Sequence, residues 1–201
     1  MNDSPVILIL AAGRGERFRA AGGTTDKLDA PLTTSAGTRT VLEHVVAAAQ
    51  ASGLPWHVVR PPDTAQQMPQ GMGTSIAAGV AARADAAGWL VLPGDLPLIQ
   101  PQSIQAVARA LRDHPAVLPM VCGQPGHPVG FSRACRSELL SLRGEQGARP
   151  VWQHHGAHLL VLDDVGCILD VDTPERLAYA QSLVAPPETA DPARADASAS
   201  G

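Results

Sequence analysis

Residues 6–10 read Val-Ile-Leu-Ile-Leu, five apolar side chains with no polar break. A half-exposed strand would alternate. An unbroken run marks a strand buried on both faces, as in a parallel sheet. Residues 89–92, Trp-Leu-Val-Leu, repeat the pattern, and Trp56–Val59 and Ala116–Val121 read as further strands. Pro61 and Pro62 stop the Trp56 strand. Short strands are also expected at 159–162 and 167–171. Between these runs the period changes. Val41, Leu42, Val45, Val46 and Ala49 recur at helical spacing, so Val41–Ala51 reads as a helix with Thr40 as N-cap and Gly53 beyond its end. Helices are expected over 75–84, 101–112, 133–142 and 149–155, and a last one opens at Thr173, Pro174 and Glu175. Small-residue loops fill 11–25, 70–75 and 123–130. Strands alternating with helices predict an α/β protein, a single-domain three-layer sandwich on a mostly parallel sheet spanning residues 1–185. Residues 186–201 carry Pro, Ala, Asp and Ser without an apolar period and read as a disordered tail.

Composition narrows the function. The 201 residues hold 15 Lys and Arg against 19 Asp and Glu, a formal net charge of −4. Half of that lies in the tail, with Glu188, Asp191 and Asp196 against Arg194. The body is nearly neutral, which leaves no basic field for nucleic acid. Cys122, Cys135 and Cys167 are odd in number and far apart, so no disulfide framework or zinc knuckle is expected. No apolar run approaches the ~20 residues that span a membrane. The first residues lack a signal-peptide pattern, and a cytoplasmic location is expected.

Chemistry is expected where strands end, because open α/β sheets bind ligands at the carboxyl ends of their strands. After the first strand come Leu10, Ala11, Ala12, Gly13, Arg14, Gly15 and Arg17. Small residues let the backbone approach phosphate oxygens, and Arg14, Arg17 and the later Lys27 supply cations suited to a triphosphate. The dinucleotide fingerprint fails because Phe18 stands where its third glycine belongs, and the P-loop pattern is absent. Asp95 follows the 89–92 strand. It reads either as a cap for the next helix or as a ligand for Mg²⁺, which favours carboxylate oxygen. Asp170 and Asp172 would share one face of a strand, while Asp172 or Thr173 could also cap the last helix. Gly71, Gly73 and Ser75 open a helix, either as a plain turn or as an anion or base site. His154, His155 and His158 have no acidic partner at zinc spacing and read as a solvated helix end.

Ordered blocks along the chain together resemble one family. Residues 10–18, LAAGRGERF, with Asp26-Lys27-Leu28 and Pro31-Leu32, resemble the LAAGxGxRF…DKLxxPL signature of molybdenum cofactor nucleotidyltransferases and related cytidylyltransferases. Residues 94–99 resemble its acidic GDxPLI block, 170–175 its DVDTPE block and 71–80 its GMGxSLAAGV block. Residues 126–131 and 144–149 resemble GHPVGF and GDxGAR, with Glu145-Gln146 a departure in the second. The run 19–25 is longer than the resemblance leads one to expect and reads as a flap.

The resemblance implies a Rossmann-like nucleotidyltransferase sheet and Mg²⁺-dependent transfer of CMP from CTP to molybdopterin, releasing pyrophosphate. It implies metal ligation by Asp95 and Asp172, with Asp170 the weaker candidate, and catalysis by Arg17, Lys27 and Asp95. Nucleotide contacts fall to residues 10–15 with Gly71, Gly73 and Ser75. Gly126, His127, Pro128, Gly147 and Arg149 would face the pterin, and a molybdenum hydroxylase would receive the finished cofactor. Guanylyl transfer, transfer to another phosphorylated small molecule and a non-catalytic cofactor carrier stay open as alternatives.

Overall fold

The computed structural model describes residues 4–13, 15–60 and 71–185. Arg14, Pro61, Pro62, Gln70 and the 186–201 tail lie outside the described residues. The sheet is built from β1 (Val6–Leu10), β4 (Trp56–Val59), β5 (Gly88–Pro93), β6 (Ala116–Val121), β7 (Gln124–Pro125), β8 (Val129–Ser132) and β9 (His158–Val161). Its order is β4-β1-β5-β8-β6, with β7 and β9 also paired to β6. β4, β1, β5, β6 and β9 run one way, and β8 and β7 run against them. The sheet is therefore mostly parallel, as expected.

The unbroken apolar run of β1 divides between two cores. Ile7 and Ile9 join Leu90 and Leu92 beneath α2 (Val41–Ala51) and α4 (Pro101–Ala110). Val6 and Leu8 join Trp89 and Val91 beneath α3 (Met72–Ala82), α5 (Arg136–Ser141) and α6 (Arg149–His154). Each such side chain contributes about 1.5–3 kcal/mol on burial. α7 (Pro174–Val184) closes the α2 side, where the Gln181 amide accepts from the Thr33 N–H (2.8 Å) and donates to the Thr33 carbonyl (2.6 Å). The cap at Thr40 is a full capping box, with Glu43 N–H donating to Thr40 and Thr40 N–H donating to Glu43. Among the described residues no helix is long and apolar enough to cross a membrane.

Four readings need correction. The 11–25 loop contains α1 (Glu16–Ala20), and its flap turns back so that Gly23 N–H donates to the Phe18 carbonyl (2.9 Å). An unread hairpin, β2 (Pro31–Thr34) with β3 (Gly37–Thr40), precedes α2. The 123–130 loop is a return strand. It pairs as β7 and then as β8 in the middle of the sheet, where a Cβ on Gly130 would come within 3.0 Å of Val107 on α4. Glycine here admits the helix.

Residues 167–171 form no strand. The buried Asp164 carboxylate accepts from Gln100 N–H (3.0 Å), Ser103 Oγ–H (2.7 Å) and Gly166 N–H (2.9 Å), so a short 3₁₀ turn at Val165–Cys167 replaces a ladder. Burial, with Asp164 nearby, pushes the Cys167 thiol up to about 12. That is consistent with an idle core cysteine. Cys135 is likewise buried and Cys122 is exposed.

Asp164→Ala would leave the Gln100 and Gly166 N–H groups, the Ser103 hydroxyl and the weaker Cys167 thiol donor without their acceptor. The expected loss is about 3 kcal/mol or more of unfolding free energy, at roughly 1–3 kcal/mol per orphaned group. Urea unfolding measures it, and a loss under about 1 kcal/mol would show that water replaces the carboxylate.

Candidate active site

β1 and β5 are adjacent and parallel, with Leu10 opposite Pro93, so both chains leave the sheet side by side. Gly94 N–H donates to the Leu10 carbonyl (3.0 Å), and a Cβ on Gly94 would sit only 3.0 Å from that oxygen. Glycine thus lets the second chain close on the first and places Asp95 beside residues 11–13. The Val171 N–H then donates to the Asp95 carbonyl (2.9 Å), which brings the segment before α7 to the same spot. Thr173, not Asp172, caps α7, its side chain accepting from Arg176 N–H (3.3 Å). Asp172 is left free for the cleft. Lys27 arrives from a turn in which the Asp26 carboxylate accepts from Leu28 N–H (3.0 Å). Gly15 crosses it in the left-handed region (φ 60°), packed on Asp26 and Lys27.

These three segments meet at one ammonium. Lys27 Nζ lies 2.5 Å from Asp95 Oδ2 and 2.6 Å from Asp172 Oδ1. Arg17 Nη1 lies 3.4 Å from Asp172 Oδ2 and is largely exposed. Burial works against the Lys27 charge, but Asp95 and Asp172 outweigh it and hold the ammonium above its usual range. Burial likewise works against the Asp172 charge, and Lys27, Asp170 and Arg17 outweigh it, holding that carboxyl below its usual range. Asp170 moves the other way. Burial raises it, with Asp172 and Asp95 adding to the effect against Arg176, whose guanidinium donates to Asp170 Oδ1 (2.6 Å). Asp170 is therefore shared between Arg176 and Asp172 and does not reach Lys27 directly.

Two buried polar atoms, Asp95 Oδ1 and His127 Nδ1, have no hydrogen-bond partner among the described residues. Burial pushes the His127 imidazole below its usual range, against the Val91 carbonyl and the Asp95 charge. Burial thus favours the neutral ring.

The cluster forms part of the wall of a cleft of about 980 Å³. Of the expected residues, Leu10, Ala12, Gly13, Gly15, Arg17, Lys27, Gly71, Ser75, Asp95 and Asp172 line it. Ala11 is in the core, and Arg14 lies outside the described residues. Gly73 does not line the cleft. Its N–H donates to the Gly144 carbonyl (2.9 Å), and a Cβ there would come within 2.3 Å of the Gln146 carbonyl. The Gly144 N–H returns a bond to Thr74 Oγ1 (3.0 Å), so the first turn of α3 and residues 143–146 are locked together.

Gly126, His127, Pro128, Gly147 and Arg149 are not in the lining either. Gly126 and His127 follow β7 and are pinned by His127 N–H to the Cys167 carbonyl (2.9 Å), before a cis His127–Pro128 bond. Gly147 packs on Met72, and Arg149 is exposed at the start of α6. Sequence reasoning missed Glu145, Met72 and Glu16 in the lining. The signal for Glu145 was its place in the 144–149 block, where the resemblance has an aspartate.

His154 and His155 also need correction. The acidic partner comes from α5. Glu138 Oε2 lies 3.0 Å from His154 Nδ1, and its Oε1 lies 2.8 Å from His155 Nε2.

Comparison with known proteins gives the family and the fold. The model of the MobA-like NTP transferase domain matches residues 7–159. The molybdenum cofactor cytidylyltransferase of Escherichia coli (strain K12) is 27% identical over 118 residues, covering 59% of this chain and 58% of that one. The match thus spans little more than half the length of that relative. Rv0371c from Mycobacterium tuberculosis H37Rv shares the fold at TM-score 0.69 and 22% identity, over 90% of this chain and 99% of that one. It has also been solved as a manganese complex, at TM-score 0.65 and 20% identity over 90% and 100% of the two chains. A nucleotidyl transferase from Methanothermobacter thermautotrophicus aligns at TM-score 0.70 and 18% identity, over 91% and 98%. With the family model matching well over half of its length, this chain belongs to the MobA-like NTP transferase family.

Proposed function

We propose that this chain transfers CMP from CTP to the terminal phosphate of molybdopterin. The observation that carries the reading is the convergence of Lys27, Asp95 and Asp172 at the mouth of strands β1 and β5, within a cleft large enough for a nucleotide. A phosphate oxygen of molybdopterin attacks the α-phosphorus of CTP in line. The bond from that phosphorus to its β-bridging oxygen breaks, and pyrophosphate leaves with the electron pair. The attacking phosphate is already an anion, so no general base is needed. Catalysis then rests on positioning and charge neutralisation.

A divalent ion fits the residues present. Asp95 Oδ1 is buried without a partner among the described residues, and the donor set is carboxylate oxygen, which Mg²⁺ favours. Asp95 and Asp172 would hold the ion, which supplies positive charge against the phosphates. Lys27 already neutralises those carboxylates and must share them with any ion held there. Its release toward the β- and γ-phosphates would put a buried ammonium beside the leaving group, with Arg17 and Arg14 as further cations. The backbone of residues 11–15 and Gly71 with Ser75 would receive the nucleotide. On the acceptor side, His127 offers a neutral imidazole, and Gly126, Pro128, Gly147 and Arg149 would complete the pterin contacts. A molybdenum hydroxylase would be the downstream acceptor.

Asp95→Asn keeps the shape and removes the charge. Pyrophosphate release from CTP and molybdopterin is expected to fall by about two to three orders of magnitude with the fold intact. Near-normal turnover in the folded variant would overturn the assignment. The base is tested separately. The Ala12 methyl lines the cleft, and one methyl discriminates by ~1–3 kcal/mol, roughly 10–200-fold. CTP is therefore expected to be preferred over GTP by at least about tenfold in kcat/KM, and Ala12→Gly should relax this by improving GTP. Equal rates in direct competition would point to guanylyl transfer.

A third test reads the charge cluster without substrate. Asp172, held low, contributes stability at and above ordinary carboxylate values and loses it as the pH falls through its folded value. Lys27, held high, contributes below about 10.5 and loses its contribution as the pH rises through its folded value. Lys27→Met leaves Asp95 and Asp172 facing each other. Its stability deficit against the native chain should be largest near neutral pH and shrink as the pH approaches ~4, where carboxylates take up protons. Urea unfolding at both pH values measures this, and a deficit independent of pH would show that only packing was lost.

A further inference from the structure

Away from the cleft, α5 and α6 pack so that one carboxylate faces two imidazoles. Glu138 lies on α5. His154 is the last residue of α6, and His155 is its C-cap. None of the three lines the cleft, and nothing in the proposed transfer uses them.

The geometry is convergent. His154 Nδ1 lies 3.0 Å from one Glu138 oxygen and His155 Nε2 lies 2.8 Å from the other. The three candidate ligand atoms all lie within 4.8 Å of one another. Tetrahedral zinc, with bonds of about 2.0–2.1 Å to nitrogen and oxygen, holds neighbouring ligand atoms about 3.3 Å apart. Each nitrogen is already slightly closer than that to one of the two Glu138 oxygens, and three ligand atoms within 4.8 Å of one another need little movement to reach it. The imidazole planes are tilted by 57° with centroids 5.1 Å apart, so the rings are not stacked and both polar edges turn toward the carboxylate. Two imidazoles and one carboxylate form a donor set that zinc uses with its fourth position open to water. Magnesium and calcium, which select oxygen, would not choose it.

We propose that Glu138, His154 and His155 bind a divalent transition-metal ion of the zinc class, at a site separate from the cleft. Binding replaces each ring-to-carboxylate hydrogen bond with a metal bond, and each ring binds as a neutral imidazole with its proton on the nitrogen that faces away from the ion. The ion clips α5 to α6. Those helices bracket residues 142–148, the segment that locks onto the first turn of α3 through Gly144 and contributes Glu145 to the cleft wall. Occupancy therefore fastens both ends of one wall of the nucleotide site without touching the substrate. The proposal does not depend on which nucleotide or acceptor the cleft takes.

The test uses the full chain without an affinity tag, stripped with chelator. Zn²⁺ is titrated by calorimetry, and Co²⁺ is followed by its visible absorption. The native chain should bind one equivalent that His154→Ala weakens strongly. His154 is largely exposed, so this variant is expected to keep its metal-free melting temperature. Glu138→Gln and His155→Gln should each weaken the same equivalent, by about 10–100-fold or more. Zn²⁺ should raise the melting temperature of the native chain and not of the three variants. Zn²⁺ affinity, Co²⁺ spectra and melting shifts that are unchanged in all three folded variants would overturn the site. So would native affinity no tighter than millimolar.

Discussion

Strands β1 and β5 leave no face for water. Ile7, Ile9, Leu90 and Leu92 are sealed under one helical layer, and Val6, Leu8, Trp89 and Val91 under the other. An unpaired charge anywhere along them would be held in an apolar medium at a cost of several kcal/mol. Polar chemistry is therefore pushed to the points where the strands stop. Leu10 and Pro93 stop opposite each other, and the register of two hydrophobic strands fixes the position of Asp95. The packing decides where the site is, and the loops decide what stands there.

At that point the difficulty is reversed, since two carboxylates are brought close together in a half-buried cleft. Lys27 resolves it by reaching both. The ammonium is itself partly desolvated, and Lys27 and Asp172 hold each other in their charged forms. Such a cluster is preorganised. Its charges need little rearrangement when a polyanion arrives, which is the condition under which electrostatic stabilisation of phosphoryl chemistry is most effective. Arg176 anchors Asp170 at the edge of this cluster, and Thr173 takes the capping duty that would otherwise engage Asp172.

The parts legible in the sequence are those where one local rule acts alone. The unbroken runs gave the doubly buried strands. Thr40 with Glu43 marked a helix start, and Pro174 another. Lys27, Asp95 and Asp172 could be singled out as charged groups at strand ends and in ordered motifs. What escaped depends on partners distant in sequence. β8 looked like a glycine-rich loop because Gly130 answers to the approach of α4, which no local pattern encodes. Residues 167–171 have strand composition, yet Asp164 captures the turn before them. Gly73 read as an open helix start, but the 143–146 segment occupies it. The histidine pair seemed unpartnered because Glu138 precedes His154 by 16 residues and meets it only through helix packing.

The Lys27–Asp172 pair spans 145 residues, whereas Lys27 and Asp95 are 68 apart. A ribosome delivers these groups in order. The first strands, the lysine and the first carboxylate emerge with much of the parallel sheet still unmade. The second carboxylate follows only with the segment that leads into α7. A nascent chain can therefore bury β1 and pair Lys27 with Asp95 before Asp172 exists. The complete charge cluster can form only after the segment that leads into α7 has been made.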